Sequence, residues 1–152
     1  FGFAALLILL VFVTMRYVPL PAPDPAKTLI CIYAAPVSLC IAGYIQSAAT
    51  KSLSFLTVMW VVATVFFLFA CVKFVQYLKM PFFPSYAAYT FPFAISAIAS
   101  KQLMACSVAM EQPMAFLKPI VLIETIIATC TTLYALVRYL MFLFGSEEKK
   151  AA

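Results

Sequence analysis

A proline sits inside a membrane-length apolar run, residues 85–110, SYAAYTFPFAISAIASKQLMACSVAM. A run of this length can cross a bilayer as a helix, and in lipid only helices and closed barrels satisfy their own backbone. Pro92 removes one N–H from such a helix and bends it. Small residues surround it, and Phe91 precedes it directly. The stretch is expected to be a kinked transmembrane helix lining a pathway, with Phe91 at the bend and the other segments supporting or repeating it.

Composition places the whole chain in the same solvent. Hydrophobic residues make up 66% and charged residues 10%, too apolar and too poorly charged for a soluble surface. There is no His, so the commonest metal ligand and general base is missing. Cys31, Cys40, Cys71, Cys106 and Cys130 are scattered singly, without a CxxC pair, and read as small buried hydrophobes rather than zinc or redox sites. No metal or cofactor is expected. The Lys and Arg residues are dispersed, with no basic stripe for nucleic acid. The chain opens on Phe1, already apolar, without a basic leader, and is expected to be a piece of a longer protein entered in mid-membrane.

Five spans are expected, at about residues 1–18, 28–48, 52–78, 85–110 and 115–144. Arg16 and Tyr17 mark an interface at the end of the first. The following PLPAPDP, with Pro19, Pro21, Pro23 and Pro25, reads as an extended linker. The second span carries Pro36 near its middle and is thinned by Ala34, Ala35, Ser38, Ala42 and Gly43. A short turn at Lys51 leads to the third, which is bulky and free of proline. Lys73 and Lys79 are expected to snorkel to the headgroups there, beside Gln76 and Tyr77. The connection KMPFFP leads to the fourth span, and a polar tail, GSEEKKAA, is expected to fray after the fifth.

Arg16, Lys27, Lys73, Lys79, Arg138, Lys149 and Lys150 fall on one side of this arrangement; Lys51, Lys101 and Lys118 fall on the other. The positive-inside rule puts the first side, and the C-terminus, in the cytoplasm of a plasma-membrane protein.

Spans two and four repeat a pattern. Tyr33-Ala34-Ala35-Pro36 matches Tyr89-Thr90-Phe91-Pro92, each followed by small and aliphatic residues and then by a bulky span. The unit is a hairpin of one thin kinked helix and one thick straight helix, used twice, as is common in transport proteins. Pro36 and Pro92 are expected to strip the carbonyls of Ile32 and Ala88 of their helical partners. Two readings of the thin helices stay open: they enclose a cavity whose water satisfies those carbonyls, or they pack tightly through small residues.

The motif YTFPFAISAIAS, with the earlier PLPAPDPAKTLICIYAAPVSLCIAGY, resembles the tellurite-resistance and dicarboxylate transporter family, to which the slow-type anion channels also belong. The resemblance covers essentially the whole chain, as the last five of ten transmembrane helices. It implies five helical hairpins around a central pore, with kinked inner helices and an outer ring, assembled as a homotrimer with one pore per subunit. Spans two and four would be inner helices seven and nine; spans one, three and five would be outer helices six, eight and ten. The family's pore-blocking Phe on helix nine falls on Phe91, and the matching place on helix seven is Ala35. With helices one to five absent, this half should not conduct alone.

For individual residues, Phe91 is the candidate gate, able to close a narrow pore sterically and by dewetting. Pro36 and Pro92 are the candidate pore kinks. Tyr33, Ala35, Ser38, Tyr89, Thr90 and Ser96 are pore-lining candidates, and the hydroxyls among them could donate to an anion; bonding back to their own helix is the competing use. Lys101 is the candidate pore-mouth charge. Glu124, ionisable within the fifth span, would ordinarily mark function; an ion pair with Lys101 or Lys118, or a place near the interface, is expected instead.

The sequence therefore reads as an all-α polytopic membrane protein, five spans of a ten-span subunit. It would pass small anions (inorganic anions, dicarboxylates such as malate, or tellurite-like oxyanions) through a gated pore in contact with lipid. A proton-coupled dicarboxylate or oxyanion carrier is the alternative within transport, and a non-transporting membrane scaffold the alternative outside it. An enzyme is not expected, since no nucleophile and base share a span.

Overall fold

A computed structural model describes residues 2–17, 23–78, 80 and 83–148. The prolines at 19 and 21, Lys79, Pro81 and the tail from Lys149 onward lie outside the described residues. Five α-helices follow one another: α1 (Gly2–Tyr17), α2 (Ala35–Ser47), α3 (Leu53–Tyr77), α4 (Thr90–Ala109) and α5 (Leu117–Glu148). Two 3₁₀ segments, Asp24–Ala34 and Pro84–Tyr89, run directly into α2 and α4. Four helical stretches, Ala26–Ser47, Leu53–Tyr77, Pro84–Ala109 and Leu117–Phe144, are long and apolar enough to cross a membrane; α1 is shorter. Among the described residues there is no strand. The chain is a membrane helix bundle of five helices.

The two kinks take a different form from the one expected. Pro36 is the second residue of α2 and Pro92 the third of α4. Each proline thus sits in the first turn of a new α-helix, where its missing N–H would have had no intrahelical partner. The residues before it wind as 3₁₀ helix, which moves every acceptor one residue closer. The carbonyl of Ile32 consequently accepts from the N–H of Ala35 and needs no water. The repeat survives as a backbone device: a 3₁₀ segment ends shortly before each proline, at Ala34 and at Tyr89, and an α-helix starts there.

Other boundaries differ in smaller ways. The 3₁₀ helix already includes Pro25, which the linker reading left extended; a proline is tolerated in a first turn because its φ is preset. The polar tail does not fray at Gly145, since α5 continues to Glu148. Ser52 caps α3 by accepting from the Phe55 N–H at 3.4 Å. Helix α4 ends in a Schellman turn, with Gln112 N–H on the Ser107 carbonyl and Glu111 N–H on that of Val108. Glu111 takes the left-handed position there, φ 57°, which glycine usually fills.

Helix α4 is central. Half of the residues in the most apolar part of the fourth span are buried, against 22% in that of α5, so the thin proline helix is the more enclosed of the two. One cluster of buried side chains joins Val37 and Ile41 of α2, Leu56 and Trp60 of α3, and Ala99 and Leu103 of α4. A second, richer in rings, gathers Phe67, Tyr86, Tyr89 and Phe93 around Cys31 and Ala34. Tyr86 donates to the carbonyls of Tyr77 and Met80, at 3.3 and 2.9 Å, and so fixes the approach to α4. Cys31 and Cys106 are buried as expected, whereas Cys130 is exposed on α5.

Candidate functional site

The turn of helix at 100° per residue divides α4 into two faces. Phe93, Ser96, Ser100, Leu103 and Ser107 lie on one and are buried in the bundle. Phe91, Ala94, Ile98, Lys101 and Ala105 lie on the other. Apart from the half-buried Ala94, these are exposed, with Phe91 at 51%. The open face is therefore a stripe of small and aliphatic residues with a phenyl ring at one end and a lysine near the other. It contains no carboxylate. The residue opposite Phe91 in the repeat, Ala35, is 2% exposed and faces inward.

Two cavities border this stripe. One of about 660 Å³ lies between the far ends of α2 and α4, lined by Gln46, Lys51, Gln102 and Ala105 among others. The Gln102 Oε1 there is buried without a hydrogen-bond partner. The other, about 440 Å³, lies between α4 and α5, where Ala94, Ile98 and Lys101 meet Thr125 and Thr129. Both threonine hydroxyls donate to their own helix, at 2.7 and 2.8 Å. Lys101 thus stands on the α5 side of the stripe and Lys51 on the α2 side.

The remaining candidates are placed as follows. Ser38 and Ser96 are buried and face each other across the α2–α4 contact, Oγ to Oγ 3.1 Å. Each also bonds back, Ser96 to the Pro92 carbonyl at 2.9 Å and Ser38 to that of Ala34 at 3.2 Å. Thr90 donates to the Ala87 carbonyl at 2.8 Å. Tyr33 shares a hydrogen bond with Thr14 of α1 at 2.9 Å. Tyr89 is fully buried against Phe74 and Tyr86, its hydroxyl without a partner. Of the residues named from the sequence, Phe91 and Lys101 share the open face; the hydroxyls of Tyr33, Ser38, Thr90 and Ser96 hold helices to each other or to themselves, and that of Tyr89 is enclosed without a partner. Ala94, Ile98, Ala105, Lys51 and Gln102 were missed, although the spacing of the first three from Phe91 marks one helical face.

The serine pair fastens α2 to α4 on the buried side of the stripe. A double-mutant cycle with Ser38→Ala and Ser96→Ala, read by thermal unfolding in detergent, should give a coupling of about 0.6 kcal/mol, as for interhelical hydrogen bonds generally in membranes. Additive effects would show that the two hydroxyls act only on their own helices.

Glu124 departs from the expected ion pair. It is 3% exposed, and among the described residues it forms no ion pair with Lys101 or Lys118, both of which are exposed. Packing of α5 on α4 turns it inward, and its Oε2 is buried without a hydrogen-bond partner.

Comparison with known proteins gives one family match. A family model described as SLAC1, voltage-dependent anion channel, matches residues 1–140. No curated protein and no solved structure matches the chain.

Proposed function

Because this chain belongs to the SLAC1 family of voltage-dependent anion channels, which is consistent with the transporter family its motifs resemble, we propose that it forms one wall of a pore for small anions gated by Phe91. Anion channel or transporter function follows from the family, whose members are not enzymes. The gate, the substrates and the assembly belong to the proposal. The observation that carries it is the open face of α4, where an exposed Phe91 heads a narrow, small-residue stripe.

An anion moving along that face meets no carboxylate and finds cationic groups at its far end, Lys101 beside the stripe and Lys51 in the adjoining cavity. Field from such charges concentrates anions at a mouth. The wall opposite is supplied by further helices, with this chain as the C-terminal half of a ten-helix subunit and the subunit as one of a trimer. Chloride-sized anions, dicarboxylates such as malate, and tellurite-like oxyanions are the substrate classes.

The orientation reading, C-terminus in the cytoplasm of the plasma membrane, is supported by how the charges group. Arg138 donates to the Met80 carbonyl at 3.4 Å, and Thr28 bonds Ser85. These contacts gather Lys27 and Arg138 at the end of the bundle where α3 finishes.

The test is ionic selectivity. With the intact protein in planar bilayers under a chloride gradient, the reversal potential is expected to move to the chloride equilibrium potential, and replacement by malate or nitrate to rank the anions. A reversal potential that follows the cation, or saturable uptake without current, would overturn the pore reading.

A further inference from the structure

The cavity of about 660 Å³ between the far ends of α2 and α4 brings together polar groups that nothing in the bundle uses. Gln102, Ala105 and Ala109 of α4 line it, at the spacing of one helical face. Ala105 also belongs to the open face headed by Phe91, so cavity and stripe meet. Gln46, at the end of α2, and Lys51, in the connection to α3, line it from the other side. Lys51 brings an ammonium with three N–H donors and no acceptor. It is half-buried, in a connection pinned at both ends. The Ala48 N–H is on the Tyr44 carbonyl at 3.0 Å, and the Ser52 N–H on the Tyr44 hydroxyl at 3.1 Å. Gln102 is half-buried, with its Oε1 enclosed and unpartnered. That leaves the Nε2 amide, a donor, as the polar group it can turn to the cavity. Among the described residues no carboxylate lines these walls, and Lys51 has no acidic partner. Glu111, beside Met110, is exposed and is not part of them.

A concave site with apolar walls, an unpaired ammonium and amide donors suits an anion. We propose that this cavity holds one singly charged anion between Lys51 and Gln102, at the end of the bundle opposite the C-terminus, and that it is where monoanions are told from dianions. The charge count carries the distinction. One ammonium compensates one negative charge. A dianion would keep its second charge against Ile45, Ala105 and Ala109, and an uncompensated charge there bears a desolvation cost. Lys101 lines the α4–α5 cavity instead, and Lys118 is exposed outside the walls. The ends of α2 and α4 bring partial negative charge to this region. The N–H groups of Met110, Glu111 and Gln112 already occupy carbonyls at the α4 end, and Lys51 supplies the full positive charge, so binding depends on that side chain. Occupancy belongs to the cavity alone; its part in selecting what passes rests on the pore reading above.

Chlorine NMR of chloride with the intact protein in detergent, at neutral pH, tests occupancy without any current. The wild type should give a saturable line broadening that nitrate removes at a matching concentration and malate, a dianion there, only at a severalfold higher one. Lys51→Met should abolish the saturable part, and Lys51→Arg should keep it. Gln102→Leu should weaken chloride affinity about tenfold, the worth of one hydrogen bond to a charged group. Its thermal stability should hold or rise, because the change removes an unpartnered amide oxygen; lost binding is thereby separated from lost folding. No saturable broadening in the wild type, or the same broadening in Lys51→Met and Gln102→Leu, would overturn the site. Equal displacement by nitrate and malate would overturn the selection by charge. In bilayers, Lys51→Met should reduce the chloride current at low chloride severalfold; an unchanged current would remove the site from the pathway. A Phe91→Ala protein without anion current would defeat the pore reading and leave the NMR result standing.

Discussion

Phe91→Ala should raise the anion current of the intact protein at least about tenfold, since removing as little as about 1.4 kcal/mol from a barrier multiplies a rate by ten. The phenyl ring is the largest side chain on the open face of α4, and Ala94 and Ala105 further along leave space around the path. A ring at such a constriction blocks by volume and by excluding water. Single-channel recordings of wild type beside Phe91→Ala check this. Phe91→Leu should fall between them, because its side chain fills less of the path. The ring is 51% exposed in this chain and contributes little to the bundle, so thermal stability should move by less than about 0.5 kcal/mol. An unchanged current in folded, inserted Phe91→Ala protein would remove the gate from this residue.

The membrane class and the number of helices were legible in the sequence, because length and apolarity have few solutions in a bilayer. The repeat of Tyr33 to Pro36 in Tyr89 to Pro92 was legible too, but its backbone was not. A proline bends a helix only if the helix already runs through it. Here each α-helix starts at the proline, and the preceding 3₁₀ turns re-pair a carbonyl such as that of Ile32. The left-handed turn at Glu111 left no mark because glycine is absent from it.

Residue chemistry was a poorer guide to the site than helical position. Ser38, Ser96 and Tyr89 carry hydroxyls suited to an anion, yet they fall on buried faces and are used or enclosed there. Their type could not show the direction of the side chain. Glu124 posed the same difficulty: an acidic residue in a span gives no bearing until its helix is packed, and here packing buries it without pairing it. The spacing of Phe91, Ala94, Ile98 and Lys101, by contrast, already defined one face of α4.

Phe93→Ala should do the opposite of Phe91→Ala, lowering stability by about 3 kcal/mol and with it the folded yield. The two rings are two residues apart, which on an α-helix is a rotation of about 200°. Phe93 is fully buried, edge-on to Phe67 and Phe74 with centroids 5.6 and 5.9 Å apart. Apolar burial gains little transfer energy where the alternative is lipid, so the loss comes from vacated volume and broken ring contacts. That places the effect at the lower end of the range for phenylalanine truncation. The fraction of protein that stays monodisperse in detergent on heating measures it. If Phe93→Ala matched the wild type in stability and Phe91→Ala lost it, the faces of α4 would be exchanged. The gate would then have to be sought among the residues assigned here to the core.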